Sequence, residues 1–294
     1  MNIKTEINES SKGFRYCAHA SFKEQKKENQ DTIIVDHNNG IYILADGIGG
    51  SEHKDGKFYS KTASEFIHKK LWGLQELVKQ NKIKDKMIPI YFENAFVEAN
   101  EICYKLRETQ ALYNGGTTMD VAMILKDKIY TGSVGDGSIE LIGKEFNEAF
   151  IQKITLDEVM KTHNSNNEEL DEEYINSFSS AITNHLGIEK ELNLQTQQIN
   201  RKEKNVEGVI LSSIDSIILS SDGFNLVTKG ERLSAILNNL NYTNVIQEIY
   251  NNLQNPQEAI EIIEKANQSG EYHINIDKLH GDNASIIIVG DYHI

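Results

Sequence analysis

Two prolines, two cysteines and one tryptophan are all that the 294 residues hold of those types. So little proline argues against long extended linkers. Cys17 and Cys103 stand alone and far apart, with no Cys-x-x-Cys spacing. That argues against a disulfide framework or a zinc ribbon and for buried free thiols in a reducing compartment. No apolar stretch approaches the roughly 18 residues needed to span a bilayer. The start, Met-Asn-Ile-Lys-Thr-Glu-Ile-Asn-Glu-Ser, lacks an apolar h-region, so a secretory signal is not expected and the cytoplasm is. Basic residues are outnumbered 30 to 44, for a formal net charge of −14. A chain so acidic is poorly matched to nucleic acid phosphates or anionic membranes; metal cations and locally basic peptides suit its field better. None of the nine histidines falls in a His-x-x-x-His or His-Glu-x-x-His pattern, which argues against zinc catalysis. No Gly-x-x-x-x-Gly-Lys-Ser/Thr loop is present to cradle a nucleotide.

What is present is a recurring junction of strand and carboxylate. In Ile41–Gly50, five largely apolar residues run straight into Asp46-Gly47. An apolar run this short, closed by glycine, reads as a buried strand. A carboxylate at the end of such a strand is costly unless something binds its charge. Lys128–Gly137 repeats the design at Asp136, and Ser216–Gly223 repeats it at Asp222. In Gly281–Gly290 the order reverses, Asp282-Asn283 leading into an apolar strand. Any one Asp-Gly reads first as a turn dipeptide. Four such ends meeting in space would instead make an oxygen-ligand cluster, suited to magnesium or manganese.

Between these junctions, Phe14–Ala20 and Thr32–Val35 read as strands. Ala63, Phe66, Ile67, Leu71, Leu74, Leu77 and Val78 fall at helical spacing within 56–80. A second helix follows Pro89, a residue suited to a first turn, with the stripe Phe92, Ala95, Phe96, Ala99, Ile102, Cys103 and Leu106. Thr117–Leu125, Lys128–Val134 and Ser138–Ile142 read as a three-stranded meander. Arg232–Leu240, Val245–Leu253 and Gln257–Gln268 read as helices. Hydrophobic content of 39% supports a real core, and no repeat or linker divides residues 1–294, so one α+β domain is expected.

With Glu28-Asn29-Gln30-Asp31 upstream and Gly115-Gly116-Thr117-Thr118 between, the ordered motifs resemble those of the metal-dependent protein phosphatases, the PPM or type 2C serine/threonine family, in its bacterial branch. All six motifs of the family occur in order between Asn29 and Asn283. The resemblance implies a four-layer αββα sandwich, two antiparallel sheets flanked by helices. It also implies hydrolysis of phosphoserine and phosphothreonine monoesters by a hydroxide bridging two Mn²⁺ or Mg²⁺ ions. By motif position Asp46 would bridge both ions and the Gly47 carbonyl would complete one sphere. Asp222 and Asp282 would hold the second ion. Asp31 would act through bound waters, and Asp136 with Asp222 would support a third, weaker ion. Asn283 would orient its neighbour.

Three departures from the family pattern stand out. The phosphate-clamping Arg is replaced by Lys26, with Lys27 beside it; lysine offers a point charge but no fork. Ile48 stands where some relatives carry a proton-donating His, as an apolar residue commonly does in the bacterial branch. The usual Gly-Asp-Ser-Arg reads Gly135-Asp136-Gly137-Ser138. A flap beside the cleft is expected over about 145–187, closing through Ala181–Gly187, with the acidic run Glu168–Glu173 inside it. An acidic flap would favour basic phosphopeptides. The implied partner is a phosphoprotein made by a cognate serine/threonine kinase, and the implied state is a monomer. The rival reading is a catalytically weak module of the same fold that binds a phosphoprotein or kinase.

Overall fold

The computed structural model describes residues 4–7, 16–22, 28–49, 55–110, 115–126, 128–145, 148–153, 184–187, 192, 194–200, 204–206, 209–211, 214–222 and 283–290. The strands are β1 (Lys4–Ile7), β2 (Tyr16–Phe22), β3 (Thr32–Asp36), β4 (Ile41–Ala45), β5 (Gly47–Ile48), β6 (Gly116–Thr117), β7 (Met119–Leu125), β8 (Lys128–Val134), β9 (Ser138–Glu145), β10 (Glu148–Lys153), β11 (Gln195–Asn200), β12 (Lys204–Val206), β13 (Val209–Leu211), β14 (Ile214–Ser220) and β15 (Ala284–Gly290). Two long helices, α1 (Asp55–Lys79) and α2 (Ile88–Gln110), lie between β5 and β6. Pro89 does sit in the first turn of its helix.

A five-stranded sheet runs β11-β8-β7-β4-β3 and a six-stranded sheet runs β1-β2-β15-β14-β9-β10, every neighbouring pair antiparallel. The two sheets face one another, and α1 and α2 cover the outer face of the five-stranded one. This is the α+β sandwich that the motifs implied. The helices read in 232–268 lie outside the described residues.

Period-2 alternation sorts the strand residues into two layers. From β4, Ile41, Ile43 and Ala45 join the helix-facing layer, while Tyr42 and Leu44 join the layer between the sheets. All five are buried, which is why the segment reads as an unbroken apolar run. The helices meet this surface with Tyr59, Ala63, Ile67, Leu71 and Leu74 from α1 and Phe92, Ala95, Phe96, Ala99 and Cys103 from α2. Their spacing of three and four is the stripe read from the sequence. Burying Phe92 and Phe96 contributes about 2–3 kcal/mol each. Both cysteines are free and buried, as expected.

One expectation is corrected. β9 does not continue the β7–β8 meander; it pairs with β14 and β10 in the other sheet. After β8 the backbone turns at Gly135 (φ +106°), crosses the gap as Asp136-Gly137, and enters the six-stranded sheet. Short strand–turn–strand spacing resembles a hairpin whether or not the second strand stays in the same sheet. A strand not read from the sequence, β1 (Lys4–Ile7), precedes the one expected at Phe14–Ala20, which is described over Tyr16–Phe22 as β2.

Candidate active site

Antiparallel pairing fixes which strand ends lie together. Thr32 at the start of β3 pairs with Ala45 at the end of β4, and Met119 at the start of β7 pairs with Val134 at the end of β8. In the other sheet, Ser138 of β9 pairs with Ser220 of β14, which pairs in turn with Ile286 of β15. The carboxylates that follow or precede these ends, Asp31, Asp46, Asp136 and Asp222, therefore belong to one end of the sandwich. Gly47, Glu28 and Asn283 belong there too. Asp282 and Lys26 lie outside the described residues, as do Lys27, His53, His280 and the acidic run 168–173.

At this end the inter-sheet layer turns polar. Ser285 of β15 donates its hydroxyl to Asp31 Oδ2 at 2.5 Å and accepts from Ser21 Oγ of β2 at 2.7 Å. Asn29 Nδ2 donates to the same Ser21 hydroxyl at 2.7 Å, and Asn29 Oδ1 accepts from the Asp31 amide at 2.9 Å. The first motif thus acts as an Asx-type turn that fixes a buried Asp31 and bolts the two sheets together. Asn283 is buried and donates to the Glu28 carbonyl at 3.5 Å, tying the last motif to the first. Ser221, beside Asp222, exchanges two bonds with Ser285: its amide donates to the Ser285 carbonyl at 3.0 Å and its Oγ accepts from the Ser285 amide at 2.9 Å.

The Gly-Thr-Thr motif turns out to be a clasp on Asp46. Its carbonyl accepts from Thr117 Oγ1 at 2.8 Å and from the Thr118 amide at 2.9 Å, and its amide donates to Thr118 Oγ1 at 3.0 Å. Both threonines are buried, so these bonds are shielded from competing water. Gly47 is required by close approach. A Cβ there would lie 2.3 Å from the Gly56 carbonyl oxygen and 2.7 Å from that of Gln30. Only glycine lets the backbone after Asp46 pack against the start of α1. Ile48 pairs with Gly116 across β5–β6 and offers no proton donor.

The one described piece of the expected flap closure, 184–187, is anchored to this clasp. Leu186 and Thr117 exchange backbone bonds, amide to carbonyl, at 2.9 and 3.3 Å. The Gly187 amide donates to Asn100 Oδ1 of α2 at 2.9 Å. The His185 ring packs on Gly116; burial, together with the charge of Arg107, pushes its pKa down to about 4. His185 is therefore neutral at physiological pH.

Three side chains here were not singled out from the sequence. Lys57, in the first turn of α1, donates to the Asp31 carbonyl and, at 3.3 Å, to Thr32 Oγ1. Burial lowers its pKa, and Asp31 and Glu28 partly oppose that. Ser285 carries no sequence signal beyond its strand. Asp120 does carry one: it shares strand parity with Ala122 and Ile124 on the inter-sheet face, so an acid there had to be buried at the site end. It is fully buried, and its Oδ1 accepts from Ser133 Oγ at 2.6 Å.

The donors at this end are carboxylates and backbone carbonyls, oxygen throughout, which fits hard divalent cations rather than zinc. Among the described residues no three histidine, cysteine or carboxylate side chains converge on one point as a ready-made ion site. Asp282, which the motif resemblance adds to the set, lies outside those residues.

The fold is thus a sandwich of two antiparallel sheets with aspartates gathered at one end of the inter-sheet layer. The sequence model of protein phosphatase 2C matches residues 20–266, and the chain belongs to that family. Protein phosphatase PhpP of Streptococcus pneumoniae is 24% identical over 221 residues, covering 73% of this chain and 80% of its own. Among solved structures, serine/threonine phosphatase Stp1 from Staphylococcus aureus matches with a TM-score of 0.62 at 20% identity, covering 94% of this chain and 95% of its own. The Mycobacterium tuberculosis phosphatase PstP/Ppp matches with a TM-score of 0.57 at 16% identity, covering 94% and 98%.

Proposed function

We propose that this protein serine/threonine phosphatase hydrolyses phosphoserine and phosphothreonine esters with two divalent cations, Mn²⁺ or Mg²⁺, held at the carboxylate end of the sandwich. The observation that carries the reading is the end itself. Asp31 and Asp120 are buried between the sheets, Asp46 is clasped by Thr117 and Thr118, and Asp136 and Asp222 close the strands beside them. So much negative charge withdrawn from water calls for cations.

Asp46, the Gly47 carbonyl, Asp222 and Asp282 would hold the two ions, with Asp31 reaching them through water and Asp136 and Asp222 supporting a weaker third. Such ions supply Lewis acidity and a water of lowered pKa for attack at phosphorus. The chain's own part is positioning. Thr117 and Thr118 fix the Asp46 backbone, and Ser285 and Asn29 fix Asp31. Asn283 joins the two ends of the motif series. Lys26 would attract the substrate phosphate as a point charge, without the bidentate grip of arginine. Ile48 cannot donate a proton, so protonation of the leaving oxygen falls to solvent held in the site. The substrate is a phosphoprotein, the product of a cognate serine/threonine kinase, and the protein acts as a cytoplasmic monomer. Among the described residues no helix is long and apolar enough to cross a membrane.

The test is hydrolysis of an aryl phosphate and of a phosphopeptide panel by purified protein with Mn²⁺, with Mg²⁺ and with EDTA, beside Asp222→Ala. Turnover that needs the cation and collapses in the variant is the expected result. Folded protein that turns over neither substrate class with either ion would sink the enzyme reading.

A further inference from the structure

We propose that Asp120 is a positioning residue for Asp136, taking the place that a side chain at residue 137 would fill and raising the site's demand for cations. The inference rests on the metal-dependent reading above. Asp120 sits on β7, paired across the sheet with Leu44 of β4 and Ser133 of β8, and is fully buried. Ser133 holds one carboxylate oxygen, Oδ1. The other, Oδ2, lies 1.8 Å from where a Cβ on Gly137 would stand. No side chain fits at 137 while the carboxylate is there.

The backbone does not explain this glycine. Gly135 turns with φ +106°, but Gly137 is not in the left-handed region, so any residue could adopt its conformation. Its neighbour across the gap leaves no room for a Cβ while the Asp120 carboxylate, held by Ser133, keeps its place. The departure from Gly-Asp-Ser-Arg is therefore one half of an exchange: the side chain lost at 137 is replaced in space by the carboxylate of Asp120. That carboxylate braces the crossing that carries Asp136 from one sheet to the other.

The exchange also changes charge. A serine at 137 would be neutral, whereas Asp120 places a buried carboxylate beside the residue that precedes Gly137, the buried Asp136. Two carboxylates in a low-dielectric layer repel, and a divalent cation relieves the repulsion. Asp120 therefore strengthens cation binding at Asp136 and destabilises the cation-free site.

Three variants test this: Asp120→Asn, Gly137→Ser, and the double Asp120→Ala/Gly137→Ser that restores the family's serine. Each is melted in EDTA and titrated calorimetrically with Mn²⁺ without substrate. Asp120→Asn keeps the shape and removes the charge. It should bind Mn²⁺ about tenfold more weakly, the lower end for groups that orient metal ligands, while its EDTA melt stays level or rises. A merely structural residue would lower the melt and leave the affinity alone. Gly137→Ser should lower the melt, and the double variant should recover part of that loss. Equal Mn²⁺ affinity in wild type and Asp120→Asn overturns the charge half. A double variant no more stable than Gly137→Ser overturns the exchange. Wild-type protein that binds no Mn²⁺ overturns the metal-dependent reading and the charge half together, while the melts still decide the exchange.

Discussion

The helix-facing layer and the inter-sheet layer share the strands β4, β7 and β8, and they differ at one end. Toward the helices, Ala45, Tyr59, Met119, Val134 and Leu186 stay buried and largely apolar up to the clasp on Asp46. Between the sheets, Leu44, Ala122 and Ile139 give way to Asp31, Asp120, Ser133 and Ser285. The same chain segment supplies both, one residue apart. Strand parity thus divides labour: odd positions of β4 and β7 build the layer that holds the fold together, and even positions end in the chemistry. Polar groups in the second layer cost stability unless each is bonded or balanced by a cation, so the first layer must carry the surplus.

The sharpest way to break this division is Asp46→Asn. Activity should fall on the order of a thousandfold, the scale for removing a key electrostatic group, while unfolding free energy in EDTA changes by less than about 1 kcal/mol. Denaturation beside an aryl phosphate assay checks both; a fold that collapses in this variant would show that Asp46 belongs to the stabilising layer. Phe96→Ala probes the opposite layer. Phe96 is fully buried, its ring 5.6 Å from that of Phe92 and packed over Gly132. It should cost about 3–5 kcal/mol in urea unfolding and leave the apparent Mn²⁺ affinity of the folded fraction unchanged.

Thr117→Val tests the seam between the layers. It keeps the shape and loses the hydroxyl bond to the Asp46 carbonyl. Stability should fall by about 1 kcal/mol and activity by about tenfold or more. Activity equal to wild type would mean that the clasp serves the fold alone.

The smallest effect lies at the far end of the sandwich. Burial raises the pKa of Asp36, but hydrogen bonds from His68 and Asn39 outweigh it, so the carboxyl titrates below its ordinary value of 3.8. His68 on α1 holds it at 2.9 Å, tying the helix to the end of β3. A depressed carboxyl contributes stability above the unfolded pKa and loses it as pH falls through the folded one. Melting curves of wild type and Asp36→Asn should therefore differ at neutral pH and converge below about pH 3.8. A gap that persists in acid would assign the effect to shape rather than charge.

The sequence alone determined the strand ends at Asp46, Asp136 and Asp222, because an apolar run closed by Asp-Gly is a local signal that needs no partner. It determined both long helices for the same reason: the stripes from Ala63 to Val78 and from Phe92 to Leu106 repeat within one turn. The ordered motifs then pointed to a single family. Tertiary structure decided what depends on distant pairing. β9 left the meander because the crossing at Gly135–Gly137 delivers it to β14, which follows it by about seventy residues in the chain. Thr117 and Thr118 became the clasp on Asp46, 71 and 72 residues away. Asp120 comes to lie against Gly137, 17 positions on, only because β7 and the crossing meet in space. Hydrophobic period is written along one strand, but a hydrogen bond or a steric veto between strands exists only once both are in place.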